Sequence, residues 1–238
     1  MMMSNADPRR LTRAAAIFAR PDRQGAVTPQ QVHGTTPVMM PGPPGPAGGG
    51  GGYNRYREMT LEEMLLENRV VFLVGEINQV SASRVIMQML YLWNIDPRKD
   101  INLYINSPGG VVEDTLAIYD IMQFVACDIA TYCIGRAESG GAVVLMAGKK
   151  GKRYILPNAK VMIHQPFGGV YGQAADIEIQ AEEILKTKDA LINIMAKCTG
   201  QAVEKLREDS ERDRFFEAKD AVAYGLCDEV LNVEEKGT

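Results

Sequence analysis

Three apolar runs, each ended near a glycine and each followed by a helical pattern, restrict what this chain can fold into. They are VVFLVGEI at 70–77, INLYINSPGG at 101–110 and DIATYCIG at 128–135. The first reads as a buried strand that stops at Gly75. The second alternates apolar and polar residues, as a half-buried strand does, and is stopped by Ser-Pro-Gly-Gly. Behind them come SASRVIMQMLYLWNI, with Val85, Met89 and Leu92 on one face after a Ser cap, then VVEDTLAIYDIMQFV, then SGGAVVLMAG, closed by Gly148. Strands that alternate with helices in this way are joined by β-α crossovers into a parallel sheet. In such a sheet, ligand-facing groups gather beyond the carboxyl ends of the strands.

The remaining segments extend the pattern. TLEEMLLENR places Thr60 and Glu63 at capping-box spacing and predicts a helix. KRYILPNAKVMIHQP predicts two short strands around a Pro157-Asn158 turn. A long helix is predicted from Ala174 to Cys198, ending at Gly200, with Ile177, Ala181, Ile184, Lys188, Leu191 and Met195 on one face. QAVEKLREDSER and FFEAKDAVAYGL predict two more helices, and CDEVL a closing strand. Composition shifts near Tyr53. The first 50 residues hold five Arg and two Asp but no Lys or Glu, and end in a Pro/Gly run that no regular element can use. Residues 1–52 are therefore expected to be a flexible tail or propeptide, and 53–238 one globular domain. The Arg-rich, acid-poor start also fits an organellar presequence, but no apolar run follows the arginines as a secretory signal would need.

Charge and motif content narrow the function classes. Lys and Arg number 26 against 30 Asp and Glu, a net charge of −4, which argues against a general polyanion binder. No apolar run approaches the ~20 residues of a membrane helix. Cys127, Cys133, Cys198 and Cys227 form no CxxC pair, and the chain has only His33 and His164. A structural zinc site is not expected, and the cysteines read as buried free thiols of a reducing compartment. The glycine runs match neither phosphate-binding fingerprint, which disfavours nucleotide binding. GKKGKR at 148–153 reads as a solvated basic turn.

The three strand exits, NSPGG, GRAESGG and IHQPFGG, carry the candidate chemistry. A hydrolytic serine needs a base, a group that orients the base, and donors for the oxyanion. Ser139 stands where a strand feeds a helix, so the backbone N–H groups of Gly140 and Gly110 are the natural oxyanion donors. His164 is the one histidine of the globular part and the sole candidate for a neutral base. The orienting acid is open among Glu208, Asp209, Glu211 and Asp213, with Asp213, before Arg-Phe-Phe, expected to turn inward. The same residues also fit two ordinary glycine-rich turns with a capping Ser and a core His.

INLYINSPGG, LAIYDIMQF, GKKGKRYILPNAKVMIHQPFGG, GQAADIEIQAEEIL, CTGQ and DAVAYGLCDEVL, in this order, resemble the ClpP family of ATP-dependent serine peptidases from about Tyr56 to Leu231. The resemblance implies an α/β fold, the ClpP/crotonase-type spiral of β-β-α units with a protruding handle helix, which Ala174 to Cys198 fits. It implies Ser139 as nucleophile in GRAESGGA, His164 in MIHQP, Asp213 in ERDRF, and the N–H groups of Gly110 and Gly140 as oxyanion donors. It further implies two stacked seven-membered rings, Arg212 as a link between ring contact and site geometry, and a hexameric AAA+ unfoldase of the ClpX, ClpA or ClpC type. That partner uses the ATP, this subunit needs no cofactor, and a cytoplasmic (or organellar) location follows. Two residues depart from the family pattern. Glu138 replaces the usual Ala before the serine and Gly140 the usual Met after it, which bears on rate and on the substrate wall. The long 1–52 segment is also unlike the family's short start. These departures motivate an alternative, a weakly active or inactive structural subunit of a mixed ring. A crotonase-type acyl-CoA enzyme has no need of this Ser-His-Asp set.

Overall fold

The computed structural model describes residues 59–166 and 171–231. The expectations for 1–52 and for Gly168-Gly169 lie outside these residues. The chain divides into two compact units, one up to Asn68 and one from Arg69 onward. In the first, helix α1 (Leu61–Glu67) begins at the predicted capping box: Thr60 accepts from the Glu63 N–H, and Glu63 reaches back to the Thr60 N–H.

The second unit is built on seven strands and six helices among the described residues. These are β1 (Val70–Val74), α2 (Gln79–Ile95), β2 (Ile101–Ser107), α3 (Val112–Phe124), β3 (Ile129–Glu138), α4 (Gly140–Met146), β4 (Arg153–Ile155), β5 (Lys160–Ile163), α5 (Ala174–Thr199), α6 (Val203–Asp209), β6 (Arg214–Glu217), α7 (Ala218–Tyr224) and β7 (Glu229–Val230). Strands β1, β2, β3, β4 and β7 lie side by side, all parallel, as the β-α alternation predicts.

β3 governs the sheet. Its first half pairs with β4 through Thr131–Cys133, and its second half with β5 through Arg136–Glu138. The register against β2 slips between these halves, at Gly135, so one strand feeds two neighbours. β4 and β5 therefore do not pair with each other around Pro157-Asn158; each runs parallel to β3, and β5 is antiparallel only to β6.

One sheet face is the core. Ile101, Leu103 and Ile105 of β2, Leu73 of β1 and Cys133 of β3 are buried there against Val85, Met89 and Leu92 of α2 and the apolar run of α4. On the other face, the register sets Phe72, Tyr104, Tyr132 and Tyr154 opposite one another. Their rings stack in a row, with centroids 5.4, 4.5 and 4.9 Å apart. Cross-strand aromatic pairs of this kind each contribute roughly 0.2–1 kcal/mol.

Four local expectations are corrected. α2 is capped by Asn78, which accepts from the N–H groups of Val80 and Ser81, so Ser81 lies inside the helix rather than at its cap. Phe215 and Phe216 belong to β6, because Val161 and Met162 offer a strand edge that outweighs their helical context. On α5, only Leu191, Ile192, Met195 and Thr199 are buried; Ile177 and Ile184 are exposed although they share the predicted face. The basic turn is not simply solvated. Lys149 pairs with Asp128, Lys152 with Asp100 and Asp128, and Arg153 is 1% exposed.

Arg153 ties three elements together. Its Nε and Nη2 donate to the two oxygens of Asp228 at 2.9 and 2.6 Å, and its Nη1 donates to the carbonyls of Met146 and Cys198. Asp228 also accepts from the Gly151 and Arg153 N–H groups. Burial alone would raise the Asp228 pKa; the Arg153 hydrogen bond and charge, with these N–H groups, outweigh it and hold the carboxyl below its usual value. The four cysteines are free thiols, Cys127, Cys133 and Cys227 fully buried. Burial pushes the Cys133 and Cys227 thiols up to about 12 and raises Cys127 and Cys198 as well.

Removing one partner of a buried, bidentate pair leaves the other uncompensated, so Asp228→Asn is expected to cost about 3 kcal/mol at pH 7 in urea unfolding. A depressed folded-state pKa gives stability that is present above the unfolded value near 3.9 and lost as pH falls through the folded value. The gap between wild type and Asp228→Asn should therefore close on acidification below about pH 4; a gap that stays constant would refute the assignment. For the thiols, a bulky disulfide reagent at pH 8 should modify essentially none within minutes in the native protein, but all four in denaturant.

Candidate active site

The site is assembled where β3, β5 and the turn after β2 end. β3 continues past the expected stop at Gly135 and delivers Ser139 directly after Glu138. Ser139 has φ 53° and ψ −121°, a conformation that costs a non-glycine residue roughly 1–3 kcal/mol. It is held there from both sides: its N–H donates to the Met162 carbonyl at 2.9 Å, and its carbonyl accepts from Ala142 and Val143 at 3.0 and 3.2 Å. The hydroxyl does not cap α4, as a capping serine would. It lies 2.8 Å from His164 Nε2.

The turn after β2 packs against this corner. Gly109 has φ 86°, and a Cβ there would stand 2.7 Å from both the Glu138 carbonyl oxygen and Ser139 Cβ. Only glycine permits that approach. Gly110 is anchored by an isolated parallel bridge to Ile77: the Ile77 N–H donates to the Gly109 carbonyl, and Val111 donates to the Ile77 carbonyl. The N–H of Gly110 itself thus faces away from Ile77. Gly110, Ser139, Gly140 and His164 line one cleft with Val112, Val143, Leu191 and Met195.

His164 and Asp213 meet because of one ladder. Ile163 of β5 is paired with Arg214 of β6, so the residue after the first and the residue before the second lie together at the ladder's end. His164 Nδ1 is 3.0 Å from Asp213 Oδ1. With the proton on Nδ1 donated to the carboxylate, Nε2 accepts the Ser139 hydroxyl. Asp213 reaches His164 but does not turn inward: its side chain is 61% exposed, against 15% for His164. Backbone contacts fix its loop instead. The Gln165 N–H donates to the Ser210 carbonyl at 2.6 Å, the Gln165 Nε2 to the Glu211 carbonyl at 3.2 Å, and the buried Ser210 hydroxyl to the Leu206 carbonyl.

The other acids have separate places. The side chain of Asp209 is 9% exposed and binds Arg214, Lys205 and the Tyr224 hydroxyl. Glu208 and Glu211 are exposed, as is Arg212 beside Asp213. Glu138 is taken up by Arg136, 3.3 Å away, so its carboxylate meets a cation of its own strand.

Two participants escaped the sequence reading. Lys188 of α5 donates to Gln165 Oε1, joining that helix to the residue after His164. Thr115 of α3 packs on Gly140 inside the cleft. The Gln before a Pro pointed to the first only weakly; nothing in the local sequence pointed to the second. Among the described residues, no group of three or more His, Cys, Asp or Glu gathers as for a metal ion, and no helix is long and apolar enough to cross a membrane.

Comparison with known proteins adds a second, independent line. The Clp protease family model matches residues 53–234. The ATP-dependent Clp protease proteolytic subunit 1 of Rhodopirellula baltica is 54% identical over 179 residues, 75% of this chain and 79% of that protein. Proteolytic subunit 2 of Chlamydia trachomatis is 54% identical over 176 residues, covering 74% and 87% of the two chains. The counterpart from Chlamydia pneumoniae is 53% identical over 175 residues. The fold is accordingly the α/β fold of these proteins, with α5 as its handle, and the chain belongs to the Clp protease family.

Proposed function

We propose that this chain is a serine endopeptidase, the proteolytic subunit of an ATP-dependent Clp protease that degrades unfolded proteins. The observation that carries the reading is the unbroken row Asp213–His164–Ser139, with contacts of 3.0 and 2.8 Å. His164 Nε2 takes the Ser139 proton as Oγ attacks the peptide carbonyl. Asp213 holds the imidazole in the required tautomer and stabilises the imidazolium. The N–H groups of Gly110 and Gly140 receive the oxyanion, where each donor contributes roughly 3 kcal/mol. His164 then returns its proton to the leaving amine, leaving an acyl-enzyme that water hydrolyses with the same base. The complete row supports an active subunit over a silent ring component.

The assembly reading rests on the family: two stacked heptameric rings enclose the sites, with a hexameric AAA+ unfoldase of the ClpX, ClpA or ClpC type feeding them at the expense of ATP. This subunit itself uses no cofactor, and its compartment is the reducing cytoplasm. Arg212 would link ring contact to the loop that carries Asp213. The exposure of Asp213 supports this part, since neighbouring subunits are what would shield its contact with His164 from water.

A fluorophosphonate probe should label the assembled wild-type protein at Ser139 and leave Ser139→Ala unlabelled; an unlabelled wild-type ring sinks the peptidase reading. Asp213→Asn should keep the fold and lower kcat on a fluorogenic peptide by on the order of 10³–10⁴, with KM little changed, because the imidazole then adopts the wrong tautomer. A loss under tenfold would place the orienting acid elsewhere.

A further inference from the structure

The cleft beside Ser139 is mostly apolar, with His164, Gln165 and Lys188 among its lining. Val112, Val143, Leu191 and Met195 line it, and Thr115 of α3 completes it next to Gly140. Thr115 is 1% exposed, and its hydroxyl donates to the Val111 carbonyl at 2.9 Å. That bond and the β-branch fix its rotamer. A Cβ built on Gly140 would stand 2.4 Å from Thr115 Oγ1, 3.2 Å from its Cγ2 and 3.3 Å from its Cβ. A side chain at 140 and the threonine at 115 therefore exclude each other. Where the family pattern has a flexible Met after the serine, this chain has no side chain, and a stiff residue from another helix stands in that space.

We propose that Thr115 determines which side chain the site accepts at P1, the residue whose carbonyl Ser139 attacks. This rests on the peptidase reading above. A P1 side chain must enter the space next to Ser139 and Gly140 while its carbonyl oxygen lies between the N–H groups of Gly110 and Gly140. Thr115 bounds that space and cannot swing aside, as a thioether could. The favoured substrates are peptides with a compact aliphatic P1 residue such as Leu or Ala, with aromatic P1 residues disfavoured by the rigid wall. Gly140 is in turn obligatory for as long as Thr115 is present.

The test uses full-length assembled protein, fluorogenic peptides differing only at P1 (Ala, Leu, Phe), and fluorophosphonate labelling as an independent readout of Ser139. Thr115→Ala should raise the Phe/Leu ratio of kcat/KM at least about fivefold, a modest share of what pocket size can control. Thr115→Ser, which deletes only Cγ2, should move it the same way. Thr115→Val, which keeps the shape and deletes the hydroxyl, should leave the ratio within about twofold. Gly140→Ala should lower kcat/KM on every peptide by about tenfold or more, and Thr115→Ala/Gly140→Ala should recover most of that loss, a coupling that independent sites do not show. A labelled protein whose P1 ratio is unmoved in both Thr115→Ala and Thr115→Ser overturns the proposal, as does a fully active Gly140→Ala. Should Thr115→Ala not assemble, the Ser and Val variants decide. Absence of label in the wild type overturns the peptidase reading, and this inference with it.

Discussion

The contact between two turns governs the rest of the molecule. The Gly109 backbone lies against Glu138, Ser139 and Gly140 at distances no Cβ could tolerate. This contact fixes the end of β2 against the end of β3, although each strand comes from a different β-α unit. Ser139 can hold its unfavourable φ only because the Met162 carbonyl, the α4 N–H groups and the Gly109 backbone all constrain it. The strain and the close approach are two sides of one arrangement. The serine is turned out of the helix it precedes, so its hydroxyl is free of capping duty and meets His164.

Everything else positions that corner. The fork in β3 sends β5 along its second half, which puts His164 beside Ser139; the β5–β6 ladder then brings Asp213 to His164. Arg153 closes the opposite side. By binding Met146, Cys198 and Asp228, it ties the end of α4 to the end of α5 and to the last strand. A buried guanidinium is costly unless its nitrogens are paired and hydrogen-bonded. The match here is a side-on carboxylate plus two carbonyls, which makes the residue a fixed joint rather than a liability.

How much of this could be read from the residues alone divides along physical lines. The parallel strands and the helices between them were legible because they are written in local periodicity, and the glycine-containing stops after β1 and β2 fall as expected, whereas β3 runs through Gly135 to Glu138. Ser139, His164 and the candidate donors Gly110 and Gly140 were singled out as chemistry at the strand exits, the family resemblance singled out Asp213 among four acids, and the structure brings Ser139, His164 and Asp213 into one row. What was not legible depends on register and long-range packing. Phe215 and Phe216 look helical until β5 offers an edge. The row of Phe72, Tyr104, Tyr132 and Tyr154 exists only once four strands are aligned. Arg153 sits in a run of cations that reads as surface, and its burial is set by Asp228, 75 residues away. Asp213 was expected inside, yet its loop is held by hydrogen bonds to the carbonyls of Leu206, Ser210 and Glu211 and its carboxylate remains largely in water. Glu138 departs from the family pattern beside the serine, and Arg136, two residues earlier on the same strand, engages it.

The handle helix has a mechanical consequence. At 1.5 Å per residue, its 26 residues make a rod about 39 Å long, and residues 174–186 are exposed throughout. Among the described residues the rod is buried only from Leu191 to Thr199, and Leu191 lies about 25 Å from the helix start by the same rise. It is therefore a lever with a long outer arm and a short inner one. Lys188 stands just outside the fulcrum, one bond from Gln165 and two from the loop of Asp213. A displacement of several ångströms at the tip arrives at that bond reduced several-fold, to the sub-ångström scale on which hydrogen bonds are made or lost.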